Sequence, residues 1–175
     1  RWQGFLATRS QPDMSNLRKN FKKTLLVLFT LIFSSSILLA CSKDTKKDVS
    51  MNELGEKISK STDVSKMKKG DDSKLKKLYK IDPSEVEEFI LYTAPSNIKA
   101  DEIAVIKVKD SSKVKEVKEK VEKRINKQTA SFKDYLPEEY AVLEKHVLKE
   151  NGNYVILVVS KDVDNIEKAI DESFK

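Results

Sequence analysis

The feature that most constrains the fold is one long amphipathic stretch in the middle of the chain. Between Asp110 and Pro137 the apolar side chains recur at spacings of three and four residues, which is the period of an α-helix. The stripe is narrow and lasts only about three heptads, so packing on a sheet is favoured over a coiled coil. We therefore predict one long helix, capped by Asp110, whose stripe consists of Val114, Val117, Val121, Ile125, Gln128 and Phe132.

Two β-strands are predicted on each side of this helix. Residues 88–94 are rich in β-formers, and residues 102–109 alternate apolar and charged side chains, as a half-buried strand does. After the helix, residues 147–149 lead through Asn-Gly at 151–152, a strong hairpin signal, into residues 154–159. That last run is apolar on both faces, so we expect it to be the central strand of the sheet.

Shorter signals predict the remaining helices. Ser50 and Glu53 have the spacing of a capping box at the start of a first helix. Further helices are expected around residues 75–79, from Pro137 to about residue 145, and after the capping residue Asp162. The order α-β-β-α-β-β-α predicts an α+β fold, with an antiparallel four-stranded sheet and helices packed on one face.

The charge balance argues against nucleic-acid binding. The chain has 34 basic and 28 acidic residues, but the excess precedes Cys41, and residues 41–175 carry 28 basic and 27 acidic residues. A nucleic-acid binder needs a basic surface that displaces phosphate counterions. A single Cys and a single His exclude a zinc cluster and a disulfide framework, and four glycines leave no phosphate-cradling loop. We therefore expect no nucleic acid, no metal and no cofactor.

The N-terminal part of the chain has the features of a secretion signal. Positively charged residues precede a 16-residue apolar run, which is shorter than the roughly 20 residues that span a bilayer. We predict a signal peptide at residues 14–40, with residues 1–13 as upstream sequence; an uncleaved membrane helix is the alternative. Residues 41–50 are polar and predict a tether, and residues 51–175 predict one domain.

The predicted signal peptide ends in Leu38-Leu39-Ala40-Cys41, which resembles the lipobox of bacterial lipoproteins. In that family the cysteine thiol receives a diacylglyceryl group, and the chain is cleaved just before this cysteine. The resemblance therefore implies a lipid-modified Cys41 at the mature N-terminus. Because two acyl chains anchor a protein stably, we expect the domain on the outer face of the cell membrane.

Four segments of the mature chain carry a further resemblance. They are LYKID at 78–82, DEIAVIKV at 101–108, SFKDYLP at 131–137 and NGNY at 151–154. Together with the lipobox, they resemble a family of small bacterial lipoproteins that contain a domain of unknown function, DUF4358. The resemblance implies an envelope lipoprotein, and it brings no catalytic residue with it.

The titratable candidates for a site have ordinary structural explanations. His146 has no second His and no obvious Ser partner, so a structural or surface histidine is expected rather than a general base or metal ligand. Asp101–Glu102 and Glu138–Glu139 are neighbours in sequence, and the side chains of neighbours usually point apart. We expect them to serve at a strand start and in the first turn of a helix. The sequence predicts no catalytic residue and no enzyme.

Aromatic residues near the end of the long helix define the candidate interaction surface. Amphipathic aromatic side chains suit a glycan or a peptide, although closure of the core is the favoured explanation. The Lys-rich segment 57–80 is predicted either to contact anionic lipid headgroups or to be a plain solvated surface. The candidate surface consists of Phe132, Tyr135, Tyr140 and Tyr154.

These observations lead to two hypotheses about function. The first is a non-catalytic envelope module, tethered by its lipid, that binds a protein partner or a wall component. The alternative is a carrier that delivers a small ligand or peptide to a membrane complex. A deep apolar pocket between sheet and helices favours the carrier, and a flat aromatic patch favours the binding module. Two convergent carboxylates with perturbed pKa values favour an enzyme instead.

Overall fold

A computed structural model describes residues 48–175, within which five strands form one sheet and five α-helices pack against it. The long amphipathic stretch forms a single helix, as its period predicts. The helices are α1 (Met51–Ser61), α2 (Asp72–Tyr79), α3 (Val114–Phe132), α4 (Pro137–Glu144) and α5 (Val163–Ser173). The strands are β1 (Lys68–Lys69), β2 (Val86–Thr93), β3 (Glu102–Val108), β4 (Val147–Asn151) and β5 (Tyr154–Val159).

The sheet is antiparallel with the order β1-β2-β3-β5-β4, which confirms the α+β class. The prediction of four strands is wrong, because a fifth strand, β1, pairs with the end of β2 through Lys68 and Thr93. This strand has only two residues, both lysines, so it carries no alternating apolar pattern that a sequence could reveal. It forms the edge of the sheet next to β2.

The central strand is β3, and this corrects the expectation for residues 154–159. Every residue of β3 and every residue of β5 is buried, but β5 lies between β3 and the edge strand β4. Apolar character on both faces of β5 therefore indicated an interior strand, but not the central one. The expectation that residues 102–109 form a half-buried strand is wrong, because the charged Glu102 and Lys107 are buried with ion-pair partners.

Helices cover both faces of the sheet, so the prediction of helices on one face is wrong. Alternate residues of β3 point to opposite cores: Ala104 and Ile106 pack with α2, α3 and α4, whereas Ile103 and Val105 pack with α1 and α5. A strand that is apolar on both faces requires cover on both sides. The second core includes Leu54, Ile58, Ile90, Ile103, Val105, Ile156, Val158, Val163, Ile166 and Ile170.

Two of the three capping predictions hold for position but not for bonding, and the third is wrong for the long helix, because its capping residue acts on the short turn before α3. Ser50 is the N-cap of α1, but its side chain makes no capping hydrogen bond. Asp110 accepts from the Ser112 amide and caps a short 3₁₀ turn that leads into α3. Asp162 is the N-cap of α5, yet its carboxylate accepts from the Thr62 hydroxyl at 2.8 Å instead of capping. At Asp162 a tertiary hydrogen bond has therefore replaced the local capping bond.

The hairpin between β4 and β5 forms as Asn-Gly predicted, but the two central residues of its turn lie one position further along the chain. Asn151 pairs with Tyr154 as the last rung, so Gly152 and Asn153 are the two central residues of the turn. Of these two, only Gly152 has a positive φ, at 62°. A glycine at the first central position is typical of a type II′ turn, whose twist matches the flanking strands.

The packed region begins before α1. Val49, which the sequence assigns to the tether, is buried, and its amide donates to the Tyr154 hydroxyl at 3.2 Å. Residues 48–175 belong to one compact unit, and both cores are built from residues within it. The predicted upstream segment 1–13, the signal peptide 14–40 and Cys41 lie outside the described residues. In the described part of the chain, no helix is long and apolar enough to cross a bilayer.

Candidate functional site

The four aromatic residues of the candidate surface do not form one surface. Phe132 is buried at the end of α3, Tyr140 on α4 is half-buried against the same core, and Tyr135 between them is 83% exposed. Tyr154 lies in the other core, where its ring meets that of Phe174 edge-on with centroids 5.0 Å apart. The corner between α3 and α4 therefore keeps three of the four, and Tyr154 belongs to the opposite face of the sheet.

A cleft of about 420 Å³ opens beside Phe132. Its walls are α2, the second half of α3, and the connection between β2 and β3, and β1 reaches its rim. The elements that form it lie far apart in sequence, so sequence patterns could not place them together. Its charged and amide-bearing lining residues are Lys68, Lys74, Asn97, Lys99, Asp101, Glu102, Arg124, Lys127 and Gln128.

A buried ion pair lies at the inner side of this cleft. Glu102, at the start of β3, is 1% exposed and accepts hydrogen bonds from the Tyr79 hydroxyl at 2.6 Å and from Arg124 Nη2 at 3.0 Å. Burial, together with the negative charge of Glu102, raises the pKa of Tyr79 well above its ordinary value. Tyr79 is therefore a neutral donor, and Glu102 is held in place by two partners. This agrees with the structural role expected at the start of this strand.

Two polar atoms in this region have no hydrogen-bond partner within residues 48–175. They are Arg124 Nε and Gln128 Oε1, and both residues line the cleft. Gln128 is buried on the apolar stripe of α3. A polar residue in this core position was the one sequence feature that could have indicated the site. An unpaired buried polar atom costs about 1–3 kcal/mol, so such atoms are rare in folded proteins.

A second carboxylate fixes the connection between β2 and β3. Glu139 on α4 is buried and accepts from Lys99 Nζ at 2.6 Å and from the Ala100 amide at 2.9 Å. Burial raises its pKa, but these two hydrogen bonds together with the positive charges of Lys99 and Lys161 outweigh burial and lower the pKa overall. Its neighbour Glu138 is exposed, so the two side chains do point apart.

Asp101 has the opposite perturbation from Glu139. Burial, followed by the negative charge of Glu139, raises the pKa of Asp101. Opposed shifts in nearby carboxylates are a feature of acid–base pairs. Here, however, each oxygen of Glu139 already accepts a hydrogen bond, so this residue is better suited to holding a loop than to proton transfer.

A second cleft of about 540 Å³ continues the first along α3. The two share Leu78, Arg124 and Lys127, and we call them together the basic groove. The second cleft is lined by six basic side chains and no acidic one. The basic residues of the whole groove are Lys68, Lys74, Lys77, Lys80, Lys99, Lys120, Lys123, Arg124 and Lys127.

Charge in the domain is segregated, although it is balanced in total. Residues 48–175 carry 25 basic and 26 acidic residues, yet nine basic and only two acidic residues line the groove. Three of the nine have carboxylate partners within 4 Å: Lys99, Lys120 and Arg124. Within residues 48–175, the other six have no ion pair. The net charge of the sequence does not reveal this surface, because its basic residues come from separate segments: β1, α2, α3 and a loop.

His146 has a structural position at the end of α4. Its Nδ1 lies 2.6 Å from the carbonyl oxygen of Leu143, and its own amide also bonds to that carbonyl. It is not among the residues that line the groove. Among residues 48–175, no group of three or more His, Cys, Asp or Glu side chains could hold a metal ion.

Comparison with known proteins gives one match. Residues 60–160 match the model of a family described as a domain of unknown function, DUF4358, which confirms the resemblance seen in the sequence. The matched range contains all five strands and every residue that lines the basic groove. No curated protein and no solved structure matches the chain.

Proposed function

The chain belongs to the DUF4358 family, and from this premise we propose that it is a lipid-anchored envelope protein whose domain binds a partner without catalysing a reaction. The lipid on Cys41 confines the domain to the membrane surface, and the basic groove is its binding surface. Confinement raises the effective concentration of the domain for a partner at that surface.

The start of the packed region supports anchoring close to the membrane. Asp48 forms an ion pair with Lys107 at 2.8 Å and accepts from the Tyr154 hydroxyl at 2.6 Å, so the domain begins seven residues after Cys41. An extended chain of that length reaches at most about 25 Å. A lipid on Cys41 would therefore keep the domain within one domain diameter of the bilayer.

The observation that carries the binding role is the groove itself. It is concave and concentrates positive charge, and within residues 48–175 most of this charge is unpaired and two buried polar atoms have no partner. Of its two carboxylates, Glu102 is engaged by Tyr79 and Arg124. These features favour binding over catalysis. Among the described residues, no serine or threonine hydroxyl that lines the groove bonds to a carboxylate or a histidine, and the Tyr79 hydroxyl is held by Glu102 with its pKa raised.

The size of the clefts favours the carrier as a second candidate. Volumes of about 420 and 540 Å³ fall within the range of small-ligand pockets. The carrier hypothesis, however, expected a deep apolar pocket between sheet and helices, and the groove is open and charged. We therefore place the tethered binding module first.

The test uses the tagged full-length chain in its native host, with Cys41→Ala as the matched variant. We expect the unmodified chain to incorporate a palmitate label and to fractionate with membranes, and the variant to lose both properties. In-cell crosslinking should then recover one envelope component with the lipidated chain, and much less of it with the variant. Membrane association that does not depend on Cys41 would contradict the anchoring proposal.

A further inference from the structure

We propose that the basic groove binds a linear polyanion of the phosphodiester type, in which anionic groups alternate with hydroxylated units. This inference rests on the proposed binding function and specifies the chemistry of the partner.

The unpaired charges call for an anionic partner. Six lysines line the groove without a carboxylate partner within residues 48–175. They are Lys68, Lys74, Lys77, Lys80, Lys123 and Lys127. Like charges in a concave surface repel each other and focus a positive potential, which attracts anions. Lysine offers a compact charge on a flexible stem, so a row of lysines can follow phosphates that are not held in one fixed orientation.

The spacing of the charges favours a polymer over a single small anion. On α3, Lys120, Lys123 and Lys127 lie three and four residues apart, so they succeed each other at about 4.5–6 Å along the helix. On α2, Lys74 and Lys77 are also three residues apart and line the first and the second cleft, respectively. One phosphate can neutralise only part of two such rows, whereas a chain of phosphates can follow both clefts.

Two polar atoms of residues that line the first cleft indicate that the ligand also carries hydroxyl groups. Gln128 Oε1 is an acceptor without a donor, and Arg124 Nε is a donor without an acceptor within residues 48–175. A unit that has a hydroxyl group next to an anionic oxygen supplies both missing partners. Phe132 and Leu78 line the same cleft and provide apolar contact for the carbon skeleton of that unit.

The test measures binding of a short oligo(glycerol phosphate) to a fragment of residues 46–175, which contains the compact unit and both cores. We expect the oligomer to bind at least about 100-fold more tightly than glycerol 3-phosphate, because linked anionic groups bind as one multivalent ligand. Affinity should fall as salt increases, because positive charges that neutralise phosphates release counterions.

Paired charge reversals locate the site. Lys123→Glu with Lys127→Glu should weaken binding by more than about tenfold, because two contacting charges change sign. Lys115→Glu with Lys133→Glu is the matched control: these lysines are also exposed, on the same helix or next to its end, but do not line the groove. The control should change affinity by less than about twofold.

Three results would overturn the inference. Equal affinity for monomer and oligomer would exclude a polymer, and equal loss in both variant pairs would exclude the groove. Groove-dependent binding to phosphatidylglycerol vesicles, or to a single-stranded oligodeoxynucleotide, without binding of the oligomer would assign the groove to a different class of partner. If Cys41-dependent recovery of an envelope component persists in any of these cases, only the ligand chemistry fails and the tethered module stands.

Discussion

Glu102 is the residue on which the inner wall of the basic groove depends. Its carboxylate joins Tyr79 on α2 to Arg124 on α3, so one buried acid ties both walls to the start of β3. Removing one partner of such a buried pair leaves an uncompensated charge, which is far more costly than losing an exposed pair. Arg124 is consequently a poor choice for testing ligand binding, and the exposed Lys123 and Lys127 are better ones.

Asp101 supports a pH-dependent prediction. Because its pKa is raised in the folded protein, its charged form destabilises the fold, and stability is lost as the pH rises from about 4, the ordinary Asp value, through the raised pKa. Asp101→Asn removes this loss. We expect the variant to be more stable than the unmodified protein at pH 7 and equally stable below the ordinary Asp pKa.

Urea unfolding of residues 46–175 over a pH series measures this difference. The matched control is Asp134→Asn, which removes an exposed carboxylate between α3 and α4. The control should show no comparable pH-dependent gain. A variant Asp101→Asn that is less stable than the unmodified protein at pH 7 would contradict the prediction.

At the scale of elements, β1 shows how two lysines can act as a strand. Gly70 follows β1 directly, and its amide donates to the Leu91 carbonyl at 2.7 Å, which continues the pairing with β2. A side chain at Gly70 would meet Leu91, since a methyl group on this residue would lie 2.5 Å from Cδ2 of that buried leucine. The glycine therefore permits the close approach of β1 to the sheet, and with it the position of Lys68 at the groove.

A pair of glycine substitutions separates this close approach from helix propensity. Gly70→Ala should destabilise the fold by about 1–3 kcal/mol, because the added methyl group overpacks the contact with Leu91. Gly55→Ala, inside α1, should instead stabilise it by about 0.5–1 kcal/mol, since the new methyl would lie at ordinary distance, 3.7 Å, from Ile90. Denaturant unfolding measures both, and equal effects of the two substitutions would refute the interpretation of Gly70.

At the scale of the whole molecule, two cores share one sheet. Leu143 belongs to the core under α2, α3 and α4, and Leu54 to the core under α1 and α5. Both cores include residues of β3 and β5, so neither face can lose its strands without exposing the other. We infer that residues 48–175 unfold as one cooperative unit.

Truncation of one residue in each core tests this cooperativity. Leu54→Ala and Leu143→Ala should each cost about 2–5 kcal/mol, because both side chains are fully buried. In each variant, methyl NMR signals from both cores should disappear at the same denaturant concentration. Ile98→Ala, at a residue that is 58% exposed, should have little effect. Separate midpoints for the two cores would show that the faces unfold independently.

Much of the element order was predictable because local patterns are strong in this chain. The stripe from Val114 to Phe132, the turn at Gly152 and Pro137 at the start of α4 each indicate structure within a few residues. The four predicted strands also form. The helices α1 and α5 were predicted, but their position on the second face was missed, because deciding which helix covers which face requires the three-dimensional arrangement.

Less of the candidate site could be predicted. Phe132 was a candidate residue and does line the first cleft, but Tyr154 was grouped with it and lies in the other core. Gln128 was assigned to the apolar stripe, with no indication that its oxygen would lack a partner. Arg124 was not among the candidate residues, yet lysines of α2 and of its own helix line the same cleft.

The sequence by itself determined the α+β class, the long helix, the hairpin and the family, since these depend on residue period, turn chemistry and short motifs. Only the tertiary structure decided that the sheet is covered on both faces and that a domain with balanced charge has one strongly basic groove. The physical reason is that local backbone preferences act between near neighbours in the chain, whereas packing and electrostatic potential depend on distance in space. Folding brings lysines from β1, α2 and α3 around Arg124, and their charges add up only there.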